Sequence, residues 1–128
     1  MTIVDVKDWL KTKIACPTWS TGGLRSTDEK AVVVYNGQAF TNPTAIGGIQ
    51  NSSYKGKGIR ILVHWTKNVE ESELKAQEVY KALHGQKAAI NGKRIINFSM
   101  RDPEPVPLGV DDSGIYEYVI DLEMIIER

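Results

Sequence analysis

GIYEYVIDLEMIIER, residues 114–128, splits cleanly when alternate positions are separated. One set is Tyr116, Tyr118, Ile120, Leu122, Met124 and Ile126, all apolar or aromatic. The other holds Ile115, Val119 and Ile125 with the acids Glu117, Asp121, Glu123 and Glu127. A period of two is the signature of a half-buried strand, because successive side chains leave opposite faces of a sheet. A run of this length would span roughly 43 Å at ~3.3 Å per residue, long enough to project past its neighbours. The fold is therefore expected to form around a sheet that contains this strand, with its greasy face inward.

Working back, DPEPVPLG places Pro103, Pro105 and Pro107 at alternate positions. Proline lacks an amide donor, so the stretch reads as a stiff extended spacer rather than a central strand or helix. Before it, Asn91-Gly92 separates two short apolar runs, the pattern of a two-residue hairpin. In the return strand Arg94, Ile96, Phe98 and Met100 are expected on one face, and Lys93, Ile95, Asn97 and Ser99 on the other. Residues 69–84 carry Ala76, Val79, Tyr80 and Leu83 at helical spacing, with Asn68 and Glu71 as an N-terminal cap pair and Glu71–Lys75 as an outer ion pair. Residues 59–66 (IRILVHWT) alternate like a strand, and AVVVY at 31–35 is a second. Asn36-Gly37 suggests another tight hairpin, returning over 38–41. Residues 42–58 read as a long excursion with an edge strand near 46–49, and loops of this length are often functional. Ile3, Val6, Leu10 and Ile14 mark an opening helix capped by Thr2. A turn-rich stretch follows it at 20–30.

The sum is an α+β fold: a mostly antiparallel sheet of four to six strands with two α-helices packed on one face. The 128 residues suit a single domain over 1–128. A single cysteine excludes an intrachain disulfide and fits a reducing compartment. The N-terminal residues lack the apolar core of a signal peptide, and no stretch approaches the ~20 apolar residues of a membrane helix. Net charge is zero but segregated. Residues 1–100 hold 14 Lys+Arg against 8 Asp+Glu, and residues 101–128 hold 2 against 8, giving +6 and −6. The zero sum disfavours nucleic acid as the main partner.

No catalytic constellation emerges. His64 sits mid-strand and His84 at a helix end, where a cation suits the dipole. Cys16 has no base beside it in sequence. Asp111-Asp112 is turn chemistry before Gly114, and no metal or cofactor is expected. A patch of Lys55, Lys57, Arg60 and Lys67 with Tyr54 and Trp65 offers a nucleic-acid alternative, and a small ligand-binding domain using His64 is a second. The sheet face opposite the helices mixes Arg60, Leu62 and His64 with Glu117, Val119, Asp121 and Ile125. Apolar anchors among charges suit a protein–protein interface, and pairing of Arg60 with Glu117 or Asp121 inside the chain is the plain alternative.

Two segments carry a resemblance: AIGGIQNSSYKGKGIRILVHWTKNVEESELKAQEVYKAL and VPLGVDDSGIYEYVIDLEMIIER. Their best markers are residues 61–65 (ILVHW), Glu73, Ala76, Tyr80, Leu83 and residues 114–118 (GIYEY). Over roughly residues 25–128 the chain resembles the minor capsid proteins, or tail terminators, of long-tailed phages and prophages of Gram-positive bacteria. The resemblance implies a non-enzymatic structural protein made in the bacterial cytoplasm and placed in the virion at the head–tail junction. It implies a ring of six copies that caps the tail tube and meets the tube protein and a head-completion or connector protein. Combined with the charge segregation, it gives an expected subunit interface in which Glu117, Asp121 and Glu123 face Lys55, Lys57 and Arg60 of the next copy. Residues 42–58 and 103–109 are the expected tube or connector contacts.

Overall fold

The computed structural model describes residues 2–23, 30–38 and 54–127. In chain order these form α1 (Ile3–Lys11), β1 (Thr18–Thr21), β2 (Ala31–Asn36), β3 (Tyr54–His64), α2 (Val69–Leu83), β4 (Ala88–Ile90), β5 (Lys93–Met100), β6 (Val106–Val110) and β7 (Tyr116–Glu127). The strands make one sheet in the order β1-β2-β3-β7-β5-β4, with β6 also beside β7.

The C-terminal strand is the centre of that sheet. On one side β7 pairs antiparallel with β3 without a register shift, from Tyr54↔Glu127 to His64↔Glu117. On the other side β5 takes its C-terminal half and β6 its N-terminal half, both antiparallel. β5 and β6 are thus two pieces of one interrupted strand, and the proline-bearing residues 101–105 are the interruption. The expectation that β7 projects beyond its neighbours is corrected: it is paired along its length on both flanks. The proline spacer is corrected too, because residues 106–110 are a strand. Pro107 is tolerated there because β6 lies at an edge and is kinked by a register shift between Pro107 and Gly109.

The alternation in β7 is borne out. Tyr118, Ile120, Leu122, Met124 and Ile126 join Ile59, Ile61 and Val63 of β3 and Val32 and Val34 of β2 in one buried cluster. Val6 and Leu10 of α1 and Ala76, Val79 and Leu83 of α2 belong to the same cluster. The Thr2 hydroxyl accepts from the Asp5 amide while the Asp5 carboxylate accepts from the Thr2 amide, a reciprocal cap. α1 ends at Lys11, earlier than expected, yet Ile14 still reaches the core. The Asn68 side chain caps α2 by accepting from the Glu71 amide at 3.0 Å.

Several expectations fail for identifiable reasons. The sheet has seven strands among the described residues and is mixed, since β1 runs parallel to β2. β1 (TWST) is four residues beside a glycine pair, so turn chemistry hid it. In β5 the register shifts between Ile95 and Asn97, which breaks the alternation: Phe98 is buried in the core as expected, and Ile95, expected on the opposite face, is buried with it. Lys75 does not make an outer pair with Glu71. It is buried and donates to the Ala15 carbonyl and the Glu78 carboxylate, while the Glu71 carboxylate accepts from the Thr66 hydroxyl.

The two Asn-Gly pairs differ instructively. Asn91 and Gly92 both take positive φ (50° and 74°), as a tight β4–β5 turn requires. Neither Asn36 nor Gly37 does. Asn36 closes β2, whose partner is β3, and the Gly37 amide donates to the Gly58 carbonyl at 3.0 Å. A Cβ on Gly37 would lie 2.9 Å from the Ile59 carbonyl carbon, so glycine serves close strand approach there rather than a turn. Of the hairpin return expected over 38–41, residues 39–41 lie outside the described residues, as does the excursion up to residue 53; residues 54–58 belong to β3.

Ile61 sits in mid-core at 0 % exposure. Ile61→Ala is expected to lower stability by about 2–5 kcal/mol, a large share of the ~5–15 kcal/mol typical of a domain. Urea unfolding monitored by tryptophan fluorescence measures it, and a loss below about 1 kcal/mol would contradict the packing described.

Candidate functional site: the charged faces and ends of the sheet

The six charged residues singled out from sequence do not form one exposed surface. Because β3 alternates without a break, Lys55 and Lys57 share the face of Ile59, Ile61 and Val63, whereas Arg60 leaves the opposite face. Lys57 donates to the Asn36 side chain at 3.1 Å. Arg60 lies directly across from Asp121 and grips both its oxygens, Nε to Oδ1 at 2.7 Å and Nη2 to Oδ2 at 3.3 Å. The carboxylate holds the guanidinium pKa above its ordinary value, chiefly through these hydrogen bonds. Half-exposed ion pairs of this kind stabilise by about 1 kcal/mol or less. The intramolecular alternative for Arg60 is therefore the one observed.

Glu123 departs furthest from expectation. It is wholly buried, beside the backbone of Gly56, where a Cβ would come within 2.7 Å of the carboxylate carbon. A side chain enclosed in its own subunit cannot reach a neighbour's lysine. Glu117, half-buried, stands opposite His64.

His64 is also buried, and its Nε2 is 2.7 Å from Asp111 Oδ2. The other Asp111 oxygen accepts from the amides of Ser113 and Ile115 at 2.8 and 3.0 Å. The Asp111-Asp112 turn is thus a buttress that fixes where β7 begins. The His64 hydrogen bond is the largest cause holding the Asp111 carboxyl below the usual carboxylate range, followed by the Ile115 amide. Cys16 donates its S–H to the Thr18 carbonyl, and burial pushes the thiol pKa up, the opposite of what a nucleophile requires.

The basic and aromatic patch proposed for nucleic acid is dispersed. Besides the split between Lys55/Lys57 and Arg60, Trp65 lies at the far end of the strand. Its ring is flanked by Lys30 and Lys75, 5.7 and 4.9 Å from the centroid. Among the described residues no cluster of three or more His, Cys, Asp or Glu is arranged to hold a metal ion. No described helix is long and apolar enough to cross a membrane.

The architecture is a central strand paired on both flanks, with the Arg60–Asp121 pair on the sheet and the His64–Asp111 contact at its end. A family model described as bacteriophage tail terminator protein matches residues 24–128. The chain belongs to the bacteriophage tail terminator family. No curated protein matches it. Family membership makes this terminator a phage structural protein, and it gives weight to its surfaces rather than to any enclosed pocket.

Sequence reasoning missed the surfaces that remain open. Leu108 and Val110 of β6 are 56 % and 54 % exposed, and the alternating prolines had masked this segment as a spacer. Lys13, Lys81 and Lys87 come from three separate segments, so no local spacing pointed to their convergence.

The pKa direction at Asp111 fixes a pH dependence. A carboxylate whose folded pKa is depressed contributes stability above its unfolded value, near ~3.9, and that contribution disappears as pH falls through the lower folded value. Asp111→Asn is expected to melt below the parent at pH 7, with the gap narrowing between about pH 4 and the onset of acid unfolding. Melting temperatures from pH 7 to 3 measure this; a gap that stays constant would contradict the assignment.

Proposed function

We propose that this chain caps the tail tube as a six-membered ring and joins the tail to the head, acting as a single structural domain without catalysis. The family match carries this reading. The engagement of Cys16 with the Thr18 carbonyl, and of Asp111 with His64 and the Ser113 and Ile115 amides, fits a structural use of these side chains. Its partners on this reading are further copies of itself, the tube protein below and a head-completion or connector protein above. Its place is the head–tail junction of a virion assembled in the bacterial cytoplasm. Residues 42–58 and 103–109, where a neighbouring copy does not take them up, remain the proposed contacts with tube and connector.

Ring closure requires a heterologous contact, in which one patch of a subunit meets a different patch on the next. The segregation of +6 and −6 along the chain favours that pairing over like-to-like contact. Of the residues first assigned to the boundary, Lys55 and Lys57 lie at one end of the β3–β7 pair and Glu117 at the other. These three suit contact between copies. Arg60 and Asp121 join it only by exchanging the partner each already has, and Glu123 is withdrawn.

Deleting the gene from the phage or prophage and imaging the products by negative-stain electron microscopy tests the role. Tail-less heads together with tubes of uncontrolled length are expected. Normal virions from the deletion would refute the terminator reading.

A further inference from the structure

Two clefts lie on opposite flanks of α2, and their charges are opposite. On the α1 side, Lys13, Lys81 and Lys87 surround a cleft of about 470 Å³ walled by Trp9, Ala88 and Ala89. Its floor is firm: Trp9 stacks on Phe98 with ring centroids 5.3 Å apart, and Lys13 Nζ sits 5.8 Å from the Trp9 centroid. Among the described residues lining it there is no carboxylate.

On the other flank, Glu73 and Glu104 line a smaller cleft with Pro105, Pro107 and Tyr118, and no base lines it among the described residues. The Tyr118 hydroxyl pKa is raised, first by burial and then by the charge of Glu73. Beside this cleft runs β6, which pairs with β7 alone and exposes Leu108 and Val110. Pro107 and the register shift at Leu108 spoil the outer edge of β6 for backbone pairing. The edge therefore offers apolar side chains and acids rather than a free hydrogen-bond ladder.

We propose that the acidic edge of one copy, formed by Glu73, Glu104, Leu108 and Val110, docks into the basic cleft of a second copy around Lys13, Lys81 and Lys87. This rests on the ring reading above and names its contact. Each patch repels its own kind and attracts the other, which enforces head-to-tail order. Lys81 also borders a cleft with Glu104 of its own copy, but Lys13 and Lys87 line the basic cleft and not the acidic one, so a copy that has docked by its edge still presents these two to the next. A nucleic-acid phosphate in the lysine cleft would leave Leu108 and Val110 uncovered, whereas a second copy covers both the charges and the apolar pair.

The test complements a gene deletion with full-length variants and counts infectious particles, with circular dichroism melts showing that each variant folds. Lys13→Glu/Lys87→Glu and Glu73→Lys/Glu104→Lys place like charges together, and each set alone is expected to cut the yield roughly a hundred-fold or more. One chain carrying both sets has its charges exchanged and is expected to recover most of that loss. Full yield from either set alone, or a folded combined chain no better than the single sets, would overturn the docking. Loss with the lysine set only would also overturn it, showing that the cleft takes an acidic partner other than this chain. A deletion that itself yields normal virions sinks the terminator reading instead, so the two failures are distinguishable.

Discussion

The pairing of β7 on both of its flanks is the constraint from which the remaining structure follows. One strand of 12 residues meets β3 along its whole length and is met on the other side by β5 and then β6. Its even-numbered side chains bury against both helices' apolar residues, and a one-residue slip would turn all of them to the other face. Register is therefore strongly specified. The His64–Asp111 contact and the Asp111–Ile115 backbone bond fix its starting point.

The middle of a strand so placed cannot itself be the adhesive between copies. Its backbone pairs inside the subunit, and its central acids, Asp121 and Glu123, are engaged or enclosed. Asp121 holds Arg60 and Glu123 is buried beside Gly56. The open chemistry lies instead at the margins of the sheet, where β6 ends the ladder and where α1, α2 and β4 leave lysines around Trp9. A structural protein of a phage tail gains from this division: the centre supplies rigidity, and the rim supplies selective contact.

Much of the architecture was legible because it rests on local periodicity. The alternation in residues 116–126, the helical spacing in 76–83 and the Asn91-Gly92 turn each state one local choice, and tertiary packing agrees with them. What was not legible depends on events outside the local window. A single extra residue near Ile96 turns Ile95 to the same face as Phe98, and no composition cue marks it. Proline alternation in 103–107 predicts a spacer, yet an edge position lets Pro107 sit in a strand. Lys75 has the spacing of a surface ion pair with Glu71, but the Ala15 carbonyl drew it inward. The candidate site suffered most, because whether a charge is free is decided by its cross-strand neighbour. Arg60 and Asp121 are 61 positions apart in sequence and opposite one another in the sheet.

The most direct measurement is amide hydrogen exchange on the isolated chain and on the chain within assembled tails. If β7 is already the closed centre of the subunit, its amides at 118–126 exchange slowly in both states, and new protection on assembly appears along β6 and around Lys13, Lys81 and Lys87. Fast exchange along β7 in the isolated chain, slowing only on assembly, would show that this strand is completed by a neighbour and would contradict the account.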